Sequence, residues 1–173
     1  MQRRTFLKLG SAATVGIASS SVSVVAEKVS ASKIERYVPL GRTDLKISDI
    51  AFGCSRLSDA ELVRYAYDRG VTYFDTAESY RGGTSESAVG AALSGVRDKV
   101  VIASKTKARA GQSSKQMMIA LENSLKRLRT DYVDIYYNHA VNHPDRMKNP
   151  EWAIFTERAI EQGKIRYLSL IHI

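Results

Sequence analysis

V-T-Y-F-D-T-A-E-S-Y, Val71 to Tyr80, begins as a buried strand and ends on polar groups. Val71, Tyr73 and Phe74 are the β-branched and aromatic types that a pleated, buried surface accepts. Asp75 then stands where the apolar run stops, and Tyr80 follows five residues later. An unpaired carboxylate at the edge of a core is costly. The stretch therefore raises the question of what meets the charge.

Outward from this stretch the chain alternates. Glu35 to Ser48 reads as a β-hairpin around Leu40-Gly41-Arg42-Thr43-Asp44. Ile50 to Gly53 is a short apolar run. Ser58, with Glu61 three residues on, predicts a capping box at the start of a helix, and Gly70 closes it. Val71 to Phe74 is a strand, Ser85 to Leu93 a short helix, and Val100 to Ala103 a strand. Ser113 with Gln116 opens a helix whose Met118, Leu121, Leu125 and Leu128 share one face. Tyr132 to Tyr137 is the next strand. Asn149-Pro150 starts a further helix with Pro at its first position, and Trp152, Phe155 and Ala159 give it a buried face before Gly163. Ile165 to Leu168 begins a fifth strand of this series.

Strands separated by helices imply βαβ units and a parallel α/β sheet, open or closed into a barrel. The first βα turn, Gly53-Cys54-Ser55-Arg56, lacks G-x-G-x-x-G, which counts against a Rossmann domain. A (β/α)8 barrel carries its active site at the C-terminal ends of its strands. Asp75, Lys105 in S-K-T-K and His139 in Y-Y-N-H-A fall at such ends, and Tyr80 lies in the loop after Asp75. Each alone has an ordinary explanation: a turn-forming Asp, a solvated Lys, a packed Tyr, a hydrogen-bonded His. Four on one edge of one sheet form a set with a chemistry. A free phenol titrates near 10, and an ammonium beside it stabilises the phenolate. Asp75 would anchor Lys105, Lys105 would tune Tyr80, and His139 would orient a carbonyl oxygen. Such a set protonates an alkoxide as it forms, as hydride delivery to an aldehyde or ketone requires.

Composition narrows the classes. The chain of 173 residues is 44% hydrophobic and 25% charged, as globular proteins are. Its net charge of +8 is spread along the chain, with no Lys/Arg run interleaved with aromatics, so no nucleic acid is expected. A mildly basic surface suits an anionic cofactor or substrate. Cys54 is the only cysteine, which excludes an intrachain disulfide and a cysteine-based zinc cluster. His139 and His143 have no acidic partner at ligand spacing, so no metal is expected.

The motifs together resemble the aldo-keto reductases. The resemblance runs from about Tyr37 to Tyr167 and rests on L-G-R-T-D-L-K-I-S from Leu40, F-D-T-A-E-S-Y from Phe74, S-E-S-A-V-G-A-A-L from Ser85, and S-L-K-R-L-R-T-D-Y-V-D-I-Y-Y-N-H from Ser124 to His139. It implies a (β/α)8 barrel, of which this chain holds the N-terminal hairpin and roughly five strands. It also implies NADPH-dependent reduction of a small carbonyl substrate, with NADH as the alternative cofactor, and a catalytic set of Asp75, Tyr80, Lys105 and His139. Gly53-Cys54-Ser55 matches the family's first βα loop near the nicotinamide, making Gly53, Cys54 and Asp75 cofactor-contacting candidates. Asp44 stands where Gly is common, a tolerable exchange because Asp enters left-handed turns. Arg81 stands where Gly is usual, and His139 sits in unfamiliar surroundings, N-H-A-V-N. Two other classes share the pattern: a non-catalytic redox-sensing subunit, and a barrel isomerase or lyase using Lys105 as a Schiff base.

Both ends of the chain carry further expectations. Met1 to Ala31 reads as an export signal, with Arg3-Arg4, Phe6-Leu7-Lys8 and an uncharged stretch from Leu9 to Ala26. It resembles the twin-arginine type, which implies a periplasmic or extracytoplasmic protein with no stable membrane span after cleavage. The barrel part is 32–167. A full barrel needs about 250 residues, and the family's Ser-Asn after strand five and the cofactor-gripping residues of its last units have no counterpart here. The 173-residue chain is therefore expected to be inactive by itself. Leu168 to Ile173, L-S-L-I-H-I, matches a reverse translation of a transposon end used in DNA library preparation, so 168–173 is expected to be a non-native tail.

Overall fold

The computed structural model describes residues 32–171. The export signal read at Met1 to Ala31 lies outside the described residues, as do the last two residues of the tail.

Strands β1 (Tyr37–Pro39) and β2 (Lys46–Ser48) pair antiparallel, with Val38 opposite Ile47. This is the expected hairpin. Its left-handed residue is Gly41, at φ +57°, and Asp44 does not take positive φ. Asp44 instead accepts hydrogen bonds from Arg166 Nη2 at 2.8 and 3.0 Å and from the Tyr167 hydroxyl at 2.6 Å. Its place in the hairpin rests on a contact across the whole chain, not on turn geometry.

Strands β3 (Phe52–Gly53), β4 (Tyr73–Asp75), β5 (Val101–Thr106), β6 (Val133–Asn138) and β7 (Ile165–Leu170) form one parallel sheet in chain order. Helices α1 (Ala60–Asp68), α2 (Thr84–Leu93), α3 (Ser114–Leu128) and α4 (Glu151–Glu161) fill the connections. A hairpin followed by β-α units with sequential strands is the opening portion of a (β/α)8 barrel.

Two helix caps differ from expectation by one residue. The N-cap of α1 is Asp59, whose carboxylate accepts from the Glu61 amide at 2.8 Å. Ser58 and Asp59 are comparable caps, and the residue nearer the helix is used. Pro150 is the N-cap of α4 and not its first turn, with Asn149 Oδ1 accepting from the Glu151 amide at 3.1 Å. The capping box of Ser113 and Gln116 on α3 forms as expected. The buried face of α3 holds Met117 with Leu121, Leu125 and Leu128, while Met118 is only partly buried.

The sheet separates two apolar clusters. Under the helices, Phe74, Ile102 and Tyr136 pack with Val63, Val89, Leu121, Phe155 and Ala159. On the other face Val101, Ala103 and Ile135 pack with Leu45 and Ile47 of the hairpin, flanked by Tyr73, Tyr137 and Tyr167. At roughly 1.5–3 kcal/mol per buried large aliphatic or aromatic side chain, both clusters hold the strands in register. The sheet's C-terminal edge is thereby a fixed platform.

Candidate active site

Register places Gly53 beside Asp75, Asp75 beside Ala103, and Lys105 beside Tyr137. The chain leaving β4 stays on the edge of β5: the Thr76 amide donates to Ala103 O at 2.9 Å and the Glu78 amide to Lys105 O at 3.2 Å. Glu78 Oε1 then accepts from Thr106 Oγ1 at 2.6 Å and from the Lys107 amide at 3.1 Å. The loop that carries Tyr80 is thus latched to the strand that carries Lys105. Beyond Tyr80 the chain turns left-handed through Arg81, Gly82 and Gly83, at φ +50°, +65° and +90°. Arg81 holds a conformation that non-glycine residues adopt rarely.

The charge at the end of β4 is met by Lys105. The Lys105 side chain is only 3% exposed, and its Nζ donates to Asp75 Oδ1 at 2.5 Å and to Thr76 O at 2.8 Å. The same Nζ lies 4.8 Å from the centre of the Tyr80 ring, a cation–π approach. Tyr80 and His139 meet edge to face with centroids 5.7 Å apart. The four side chains expected at this edge do come together. Among the described residues no hydrogen bond joins Lys105 to the Tyr80 hydroxyl; the ammonium lies against the ring.

His139 is buried, and its amide donates to Thr106 O at 2.8 Å. Its Nδ1 is sealed off with no hydrogen-bond partner among the described residues. That leaves Nε2 as the nitrogen able to meet an incoming oxygen. Burial holds the imidazole pKa below its ordinary value; the charges of Lys105, Lys107 and Arg146 lower it further, against an opposing pull from Asp75. His139 is therefore neutral at neutral pH.

The cofactor-contacting candidates separate. Gly53 is exposed, and a Cβ placed on it would meet no atom within 4 Å. Asp75 is partly exposed beside it. Cys54 points the other way, into the core, with Sγ against Phe52 O at 3.5 Å and its amide on Asp75 O at 2.8 Å. Burial first, then the Asp75 charge, pushes its thiol up to about 12, so it stays protonated.

Sequence reading missed the groups that hold this edge. Ser85 Oγ bridges Cys54 O and Thr76 Oγ1, each at 2.8 Å. Glu86 is fully buried, accepting from Ser104 Oγ at 2.5 Å and Arg127 Nε at 2.7 Å. Glu86 lies on an otherwise apolar helix face, and a buried Glu needs partners. That was the available signal. Arg146, which binds around His139, gave none.

Comparison with known proteins follows the same outline. The profile described as the aldo/keto reductase family matches residues 49–171. A probable aldo-keto reductase from Glycine max is 29% identical over 153 residues, covering 77% of this chain and 44% of its own length. Among solved structures, the holo form of an aldo-keto reductase from Bacillus halodurans superposes with TM-score 0.69 at 32% identity, over 80% of this chain and 50% of that one. An aldo-keto reductase from Klebsiella pneumoniae, solved with NADPH, gives TM-score 0.62 at 34% identity, over 74% of this chain and 46% of that one. This chain spans about half the length, or less, of the curated relatives it matches. Among the described residues no helix is long and apolar enough to cross a membrane.

Proposed function

The chain belongs to the aldo/keto reductase family, and on that premise we propose that the whole protein reduces an aldehyde or ketone to an alcohol with NADPH, Tyr80 giving the proton. NADH is the alternative cofactor. The observation that carries this reading is one buried ammonium, Lys105, held by Asp75 and set against Tyr80, with neutral His139 edge to face with the same tyrosine.

The cofactor supplies a hydride when bound. Gly53 and Asp75 would lie along its nicotinamide end, and the bare backbone at Gly53 leaves room for a flat ring. Cys54 would contribute backbone only. His139 Nε2 donates to the carbonyl oxygen and orients it. As negative charge grows on that oxygen, the Tyr80 hydroxyl hands over its proton, and the fixed ammonium of Lys105 stabilises the phenolate left behind. Asp75 keeps the ammonium in place through the cycle. Proton donation of this kind contributes about 10²–10⁴-fold.

The reading is tested by supplying NADPH and a generic aromatic aldehyde to the full-length protein and following consumption of the reduced cofactor. Steady, aldehyde-dependent consumption supports it. None with either NADPH or NADH, in a folded protein, overturns it. The proposal includes export by the twin-arginine-type signal at 1–31, supported by Arg3-Arg4 and the uncharged stretch behind them. Cell fractionation of the full-length protein, with Arg3→Lys/Arg4→Lys as the control, decides this part.

A further inference from the structure

We propose that Arg146 is a positioning residue for His139, fixing the imidazole from behind through the backbone of its loop. The inference rests on the reductase reading above and goes beyond its four catalytic groups.

One guanidinium makes four hydrogen bonds. Arg146 Nε donates to Ala108 O at 2.9 Å. Its Nη1 donates to Ala140 O. Its Nη2 donates to Asn138 Oδ1 and to His139 O, each at 2.9 Å. The acceptors come from the loop following Lys105 and from the end of β6 with the loop that contains His139. The fork therefore fastens together the two strand ends that carry the lysine and the histidine. Only a planar group with five fixed donors can satisfy so many acceptors at once.

The histidine gains from such help because its ring is held by packing, the Tyr80 edge included, with no hydrogen bond at Nδ1. Its Nδ1 has no partner among the described residues, so no hydrogen bond fixes imidazole orientation in the usual way. The backbone beside it is strained: Ala140 sits at φ +54°, a left-handed conformation that an alanine rarely adopts. Arg146 binds the carbonyls on both sides of that peptide unit, at His139 and Ala140. The arginine thus holds a strained backbone whose geometry aims the ring. Mispositioning a catalytic group by about 1 Å can lower a rate on the order of 10²-fold.

The test is a double-mutant cycle in the full-length protein with His139→Asn and Arg146→Lys. Lysine keeps the charge and can reach some of the carbonyls, but it loses the fork. R146K is expected to lower kcat about tenfold with KM little changed in the wild-type background, and by less than twofold in the H139N background. Arg146→Ala should regain part of its lost kcat on addition of about 10 mM guanidinium, well below denaturing concentrations. The proposal is overturned if R146K lowers kcat less than twofold, if it lowers kcat equally in both backgrounds, or if its loss follows the unfolded fraction in a thermal melt. A wild-type protein without carbonyl reduction would instead overturn the reductase reading. H139N as active as wild type would overturn the role given to His139.

Discussion

The two ends of the parallel sheet both bury charge, but they complete it differently. At the N-terminal end Asp134, with a side chain only 2% exposed, accepts from Arg97 at 2.7 Å, the Ile102 amide at 2.9 Å and Arg166 at 2.9 Å. Arg166 continues to Asp44 in the hairpin. Both carboxylate oxygens of Asp134 have donors from the chain itself. At the C-terminal end Lys105 is as deeply placed, but its partner Asp75 is 29% exposed. There, among the described residues, His139 Nδ1 has no hydrogen-bond partner, and Tyr80 is met through its ring by Lys105 and His139. A charge cluster closed from within holds a fold together. On the proposed function, the one left open on its outer side is where a reactant finishes the set.

This contrast can be broken at either end. The largest effect is expected from Lys105→Met. It removes the cation beside Tyr80, so carbonyl reduction by the full-length protein should fall about 10²–10³-fold. The unfolding midpoint should fall only slightly, because the Asp75 carboxylate left without its partner is 29% exposed and water can solvate it. Steady-state kinetics beside a thermal melt checks both. Asp134→Ala should do the reverse. It takes the buried carboxylate from Arg97, Arg166 and the Ile102 amide at once and should cost about 3 kcal/mol in a denaturant titration, with kcat per folded molecule kept.

A third prediction concerns acid. His139 has a lowered pKa in the folded protein, so near and below its ordinary value of about 6.5 the unfolded chain binds a proton that the folded one resists. Its contribution to stability is complete above that value and is lost as pH falls through the folded pKa. Unfolding midpoints measured across this window should fall less steeply for His139→Asn than for wild type. A steeper fall in the variant would contradict the neutral, buried imidazole. The smallest effect is expected at Asp44→Gly, where the ion pair is exposed. Stability should drop slightly at low salt, and the difference should vanish near 1 M salt, where the Debye length is about 3 Å.

Much of this contrast could be read from the residues in order, and the part that could not has a physical cause. Alternating apolar runs and helix signals gave the parallel sheet, because side-chain period and capping are local. Asp75, Tyr80, Lys105 and His139 were legible because strand ends are local features and the barrel geometry gathers them. Asp44 was misread as a turn former, because its partners Arg166 and Tyr167 lie 122 and 123 residues away. Cys54 was placed near the cofactor by loop position, and only the packing of its side chain turns it inward. Glu78 and Arg146 are invisible as supports, since each acts through acceptors or donors brought close only by the fold; Glu86 is signalled by its apolar helix face, but its partners Ser104 and Arg127 are not.

On the proposed function, the open C-terminal edge performs the chemistry while the rest of the sheet carries structure. The most direct test of this division is Tyr80→Phe in the full-length protein, assayed for NADPH-dependent aldehyde reduction and thermal unfolding in the same preparation. The expected result is a fall in kcat of about 10²–10⁴-fold with the melting temperature unchanged, because Phe keeps the ring contacts with Lys105 and His139. A variant that reduces aldehyde as fast as wild type, or loses activity only as far as it unfolds, would contradict it.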